Sequence, residues 1–467
     1  MKRVSLIREL ESVVGKEWVI TDDHVELYSH DAFLLYRGRP SAVVLPGSEE
    51  EAVRAVRILL KNGAKVVVRG SGTSLSGAST PLGGEVVVSL ARLNRVYSVE
   101  GFEVEVGPGI ANASVSKGLP PHLFYAPDPS SFTVSSIGGN VSHDSGGIRV
   151  VKYGPTYNSV LGLKVLLTDG TVEEVRTIHV LNHKSIFVGA EGTLGVILRA
   201  RLRTFRRPEG TKTLVALFDS LEKAGRAIVE VFRRGVIPSG LELMDRYSIR
   251  AVENSRFRVG LPEAEALLLV ELEGIQEEIR REEAIVLEAL HSLGAEVIVP
   301  KDKAEESRLW SARKGAFPAM GSISPAYLTL DCNVLRRDLP EALKQIREIA
   351  RKYGVYVANV FHAGDGNLHP LIAFDPKVKE SVERAVMAGK EIERLVIRMG
   401  GVPSGEHGIG IEKVTFLKDY YTSTELEVFR RIKEAFDPGY QLNPCKLVQR
   451  EECRPPSETV ATLWEVD

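Results

Sequence analysis

Two histidines, His362 and His369, flank the run HAGDGNLH, in which almost nothing but glycine and turn residues lies between them. Apolar β-formers stand on both sides, VYVANVF before and PLIAF after, so the stretch reads as two strands joined through an Asp-Gly turn. Such a hairpin sets two imidazoles side by side. Neutral imidazoles in that arrangement suit a divalent transition metal, zinc first, but two nitrogens are too few for a site. A carboxylate must join them, and Glu406 in the later run SGEHGIG is the candidate.

At 467 residues the chain exceeds one ordinary core, which predicts two or three domains. Lys plus Arg at 60 against Asp plus Glu at 62 gives a formal charge of −2, so no basic field recruits nucleic acid or an acidic membrane. The opening MKRVSLIRELESVVG is charged and amphipathic, which argues against a signal peptide or transmembrane span and predicts a cytoplasmic protein. Three cysteines, Cys332, Cys445 and Cys453, predict reduced thiols rather than a disulfide framework. They are too few for an iron–sulfur cluster, which usually takes four ligands.

The spacing of Val53, Val56, Leu59 and Leu60 predicts a helix over 48–60, and KVVVRG a strand after it. EVVVSL and FEVEVGPG read as further strands, and LGLKVLLTDGTVEEV carries its own Asp-Gly hairpin signal. The first two hundred residues are therefore α+β and rich in glycine. At RRPEG, 206–210, the composition turns, and charged amphipathic helices such as EEIRREEAIVLEALHSLG follow. The boundaries predicted are 1–207, 208–405, a C-terminal segment 406–450 returning to the first domain, and a tail 451–467.

The glycine-heavy part contains three clusters of small residues. The first, RGSGTSLSGASTP over 69–81, lets backbone amides approach an anion closely. It lacks the third glycine of a dinucleotide-binding GxGxxG, and Ala78 stands where a nucleotide triphosphatase needs lysine, so nicotinamide and ATP readings both fail. The second spans 127–154, and the third reads GAEGTLGVI from Gly189. Three clusters in one domain call for one long ligand, and a flavin dinucleotide fits: its pyrophosphate wants amides and hydroxyls, its ring close backbone packing.

These motifs, in this order, resemble the flavin-linked D-2-hydroxy acid dehydrogenases, the family of glycolate oxidase flavin subunits and D-lactate dehydrogenases. The resemblance implies the FAD-binding fold of the vanillyl-alcohol oxidase (PCMH) superfamily, with a ferredoxin-like α+β cap. It implies FAD, held noncovalently because the first loop has no histidine, with Arg69, Gly70, Ser71, Gly72, Thr73, Ser74 and Gly77 around the pyrophosphate. Pro127, Asp128, Ser130, Ser131, Ser136, Gly138, Gly139 and Asn140 would line the cofactor, and Gly146, Gly147, Glu191, Gly192, Gly195 and Val196 would complete its pocket. By the same resemblance His362, His369 and Glu406 bind a divalent metal, His407 is the general base, Arg313 grips a substrate carboxylate and Arg336 is a second candidate for that grip. The reaction implied is oxidation of a 2-hydroxy acid, followed by electron transfer to a quinone, cytochrome or iron–sulfur partner. A homodimer is left open.

Where relatives acting on a longer diacid carry polar side chains, Phe317, Thr329 and Leu371 stand here, which favours D-lactate or glycolate over D-2-hydroxyglutarate. Cys445 replaces the glycine of an NPGK run. His122, His179 and His291 are read as buried core histidines, Asp365 as a turn residue and Trp310 as packing, while Arg313 could instead cap or salt-bridge a helix. Two other classes share the expected fold: a non-redox flavin enzyme resembling alkyl-dihydroxyacetone-phosphate synthase, and a flavin-binding electron-transfer subunit without catalysis.

Overall fold

In a computed structural model the described residues are 2–459 apart from 34, 179–180, 449, 451–452 and 454–457. His179 and nearly all of the expected tail lie outside them. The chain divides into two compact units. The first contains 1–146, 155–207 and 406–467, and the second 147–154 and 208–405. The excursion of 147–154 is a departure from a boundary drawn at 207.

In the first unit, the strands Ala42–Val44, Val86–Ser89 and Val66–Arg69 run parallel in that order, with Val19–Ile20 antiparallel at the edge. The helix Glu49–Lys61 begins where the Ser48 hydroxyl accepts the amide of Glu51 and three glutamates complement the N-terminal dipole. Its apolar stripe, Ala52, Val56, Leu59 and Leu60, packs on the sheet valines. A six-stranded antiparallel sheet holds the hairpin Val160–Leu166 and Val172–Ile178 together with Val196–Arg203 and Glu103–Val106. Cores formed by these two sheets leave the glycine-rich loops at their ends.

In the second unit, the strands Gly210–Phe218, Gly240–Asp245, Ala266–Gly274 and Glu296–Ile298, counted in chain order, lie 4-1-3-2, all antiparallel. Helices Leu221–Arg233 and Gln276–Ser292 connect the first to the second and the third to the fourth, the ferredoxin-like arrangement. ALLLVELEG forms the third strand, interior to the sheet, and nearly all of it is buried. The sheet continues through Val357–His362, which pairs with Gly240–Asp245.

Two sequence expectations need correction. Cys445 and Cys453 form a disulfide, Cα–Cα 5.6 Å, and the buried Cys332 takes no part in it. His122 and His291 are exposed rather than buried.

Candidate functional site

The three small-residue clusters, the second as far as Gly146, meet within the first unit. A Cβ on Gly70 would lie 2.0 Å from the Ser136 hydroxyl, so the first two clusters touch only because residue 70 has no side chain. His143 Nε2 lies 3.1 Å from Ser74 Oγ. The third cluster closes on the second through Gly189 N to Val141 O, 3.0 Å, and Glu191 N to Ser142 O, 2.8 Å. Arg69 folds beneath its own loop and donates to Ser79 O, and burial pushes its pKa down.

This cradle fits a flavin dinucleotide on its own polar atoms. The amides of Ser71, Gly72, Thr73 and Ser74 meet no acceptor among the described residues, an arrangement suited to a phosphate. Asn140 Nδ2 is likewise buried and without a partner among them. Asn112 Nδ2 holds Pro127 O at 3.1 Å, and Ser131 O takes the amides of Val134 and Ser135, which shapes the loop containing Asp128 and Ser130. Gly138 and Gly139 open the helix Ile137–His143, where a Cβ on Gly138 would come within 2.7 Å of Pro108. Gly192 takes φ +69°, whereas a Cβ on Gly195 would press on Val165 and Val196 is a core side chain under the sheet. Gly146 closes the first unit's segment, and Gly147 begins the excursion grouped with the second.

The SGEHGIG loop is laced to the same cradle. Ser76 Oγ donates to His407 O at 3.0 Å, while Ser76 O accepts Ile411 N at 2.9 Å. The buried Glu191 carboxylate accepts Ile409 N and Gly410 N at 2.6 and 2.8 Å, and burial pushes its pKa up. His407 thereby hangs from the first cluster, its Nε2 3.7 Å from Glu406 Oε1. Lys446 is buried among Glu85, Asp31, Glu191 and Arg69, and loss of water brings its pKa down to about 8.

The second unit assembles the other candidates. His362 pairs with Asn367 across the turn, so His369 is the diagonal neighbour on the same strand face. The imidazole centroids are 5.2 Å apart, both side chains buried. Asp365 Oδ1 accepts Asn367 N at 3.2 Å, as a turn residue does. Glu242, directly opposite His362 in the register, receives Nδ1 of His362 at 2.8 and 3.0 Å. Arg313, near the end of the helix Lys303–Lys314, is buried with Nη2 2.5 Å from Glu242 Oε2. Asp331 lies 3.5 Å from His369 Nε2 and accepts Ser404 Oγ at 2.7 Å and Gly405 N at 3.1 Å. Sequence reasoning missed Glu242 and Asp331. Glu406 follows Gly405 by one peptide bond, about 3.8 Å between Cα atoms.

Phe317 packs edge-on against His369 at 5.5 Å, and Thr329 pairs with Leu371 across neighbouring strands. Arg336 is exposed, lies 3.9 Å over the Phe232 ring and donates to Gly364 O. Trp310 donates to Thr213 Oγ1 at 3.1 Å and packs in the core. No helix among the described residues is long and apolar enough to cross a membrane.

Two family models match: "FAD linked oxidases, C-terminal domain" over 207–447 and "FAD binding domain" over 40–176. The chain is 40% identical to the glycolate oxidase subunit GlcD of Escherichia coli K12, covering 95% of this chain and 91% of that one. It is 34% identical to GlcD of Bacillus subtilis, with 91% and 92% covered, and 32% identical to a D-lactate dehydrogenase of Archaeoglobus fulgidus, with 87% and 91% covered. Its fold matches 4-ethylphenol oxidase from Gulosibacter chungangensis at TM-score 0.80 and 17% identity, covering 97% and 98%. It matches alkyldihydroxyacetonephosphate synthase at 0.76 and 19%, covering 94% and 84%.

Proposed function

This chain belongs to the FAD-linked oxidases, and from that premise we propose that it oxidises a short D-2-hydroxy acid, D-lactate or glycolate, to the 2-oxo acid. The observation that carries the reading is a single buried carboxylate, Glu242, hydrogen-bonded to His362 and ion-paired with Arg313. It puts a guanidinium able to grip a carboxylate beside an imidazole able to hold a metal. When bound, FAD supplies the acceptor for the hydride of C2, and a divalent ion on His362, His369 and Glu406 supplies a Lewis acid that lowers the pKa of the 2-hydroxyl.

The donor set fits such an ion. Glu242 on His362 is the carboxylate–histidine pairing that orients metal ligands, and Asp331 holds the Gly405 amide one residue before Glu406. In the reaction Arg313 orients the acid through its carboxylate, for which a fork of N–H donors suits better than an ammonium. His407 takes the hydroxyl proton as the C2–H bond breaks, its electron pair leaves with the hydride and C2=O forms. Phe317, Thr329 and Leu371 offer a longer substrate no charge for a second carboxylate. Reoxidation falls to a quinone, cytochrome or iron–sulfur partner, and a cytoplasmic location is part of this reading.

Anaerobic stopped-flow reduction of the flavin with D-lactate, L-lactate, glycolate and D-2-hydroxyglutarate tests the proposal. D-lactate or glycolate is expected to reduce it fastest, and His407→Ala to lose about a hundredfold or more of that rate. Full rate in the variant removes His407 from the mechanism. A flavin bleached by none of the four acids sinks the dehydrogenase reading and leaves a non-redox enzyme or an electron-transfer subunit.

A further inference from the structure

We propose that Glu242 is the positioning residue that couples substrate grip to metal binding, an inference that rests on the function proposed above. Its strand, GLELMD, is otherwise apolar at this point, and Glu242 is fully buried between Leu241 and Leu243. A buried ion pair is a poor source of stability, since apolar residues of similar volume usually serve a core at least as well. The carboxylate therefore needs another reason to be there. Its two contacts supply one.

A carboxylate only accepts, so Nδ1 of His362 carries the hydrogen, and in the neutral imidazole Nε2 then holds the lone pair. Glu242 thus fixes the tautomer and ring plane in which His362 can coordinate through Nε2. The register enforces the contact: Glu242 and His362 are direct cross-strand partners, and neither can turn away without leaving the buried face. The same carboxylate holds Arg313 by an ion pair at Nη2, while neither Nη2 nor Nε, both buried, makes a hydrogen bond among the described residues. An anchored guanidinium with an unspent donor is ready for an incoming carboxylate. One anion therefore sets both the plane of the metal-facing imidazole and the aim of the fork.

The coupling gives Glu242 a signature that neither partner has alone. Glu242→Gln keeps the size but removes the charge and the tautomer preference, and Glu242→Asp draws the carboxylate back by one methylene. Zinc affinity is measured by chelator competition on the FAD-loaded protein, and the KM for D-lactate at saturating zinc. Both variants are expected to bind zinc about 10–100-fold more weakly and to raise KM about tenfold with flavin content kept, while Glu242→Gln, which leaves the buried Arg313 without its anion, also lowers the melting temperature. Arg313→Lys should raise KM while leaving zinc affinity unchanged. Wild-type zinc affinity in Glu242→Gln, or a KM that returns to the wild-type value once zinc saturates, overturns the coupling. Separately, a His362→Ala protein that keeps its zinc overturns the metal reading itself.

Discussion

Asp144 ends the helix Ile137–His143 in the left-handed conformation, φ 53° and ψ 47°, inside the second small-residue cluster. Its Oδ1 accepts the amide of Tyr157 at 2.6 Å. Burial nevertheless outweighs that bond and the charge of Lys184, and raises its pKa from 3.8 to about 6. A carboxyl whose folded pKa is raised makes the native state bind more protons than the unfolded chain between those two values. Stability is then fully present below the unfolded pKa and is lost as pH rises through the folded one. Two pH units correspond to about 3 kcal/mol at neutral pH, and the side chain's residual exposure brings this to about 1–3 kcal/mol. Asp144→Asn keeps the acceptor for Tyr157, tolerates the left-handed backbone and removes the buried charge. The melting temperature at pH 7.5 should therefore rise, at about 2–4 °C per kcal/mol for a unit of this size, and the gain should vanish at pH 4. An equal shift at both pH values, or a loss at pH 7.5, would refute the argument from desolvation.

Gly70→Ala must displace Ser136, whose hydroxyl would lie 2.0 Å from the new methyl, so the purified protein should carry much less flavin per chain by absorbance. Lys433 is fully buried and donates to Asp437 Oδ2, Thr193 O and Leu442 O at 2.6, 2.6 and 2.9 Å. Lys433→Met strands a buried carboxylate and should cost about 3–5 kcal/mol in denaturant unfolding, with Asp437→Asn recovering part of the loss in the double variant. For Glu406→Ala, loss of bound metal with FAD retained is expected from paired elemental and flavin analysis, and unchanged metal content contradicts the ligand assignment.

The parts of this molecule that the sequence made legible are those encoded over short spans. HAGDGNLH reads as a hairpin because two runs of apolar β-formers flank a turn, and the register then follows from the turn without further information. The glycine clusters announce a ligand because only close backbone approach explains so many small residues in one stretch. Position 445 is a mixed case. A glycine is expected there from relatives, and the backbone at Cys445 does take φ +63°, so the left-handed turn persists and the side chain is put to another use, a disulfide to Cys453. Compartment arguments from an odd cysteine count could not anticipate a pair eight residues apart.

What stayed hidden depends on partners distant in the chain. Glu242 reads in GLELMD as an ordinary polar position of a strand, and only the register against His362, 120 positions later, and the ion pair with Arg313 make it the partner of an imidazole and a guanidinium. Asp331 and Ser76 are similar: one holds Ser404 and Gly405, the other the carbonyl of His407, and neither bond has a local pattern. This asymmetry has a physical basis. A residue that touches a ligand tends to stand in a motif because loop geometry constrains its neighbours, whereas a residue that orients another needs only the right position in a fold. Buried charge within an apolar strand is therefore the signal to search for, since desolvation makes it costly to keep without a partner. Glu242 carries that signal, and Asp331, a fully buried charge between the strands Ala326–Thr329 and Cys332–Asn333, is the next residue whose loss should loosen the loop that leads to Glu406.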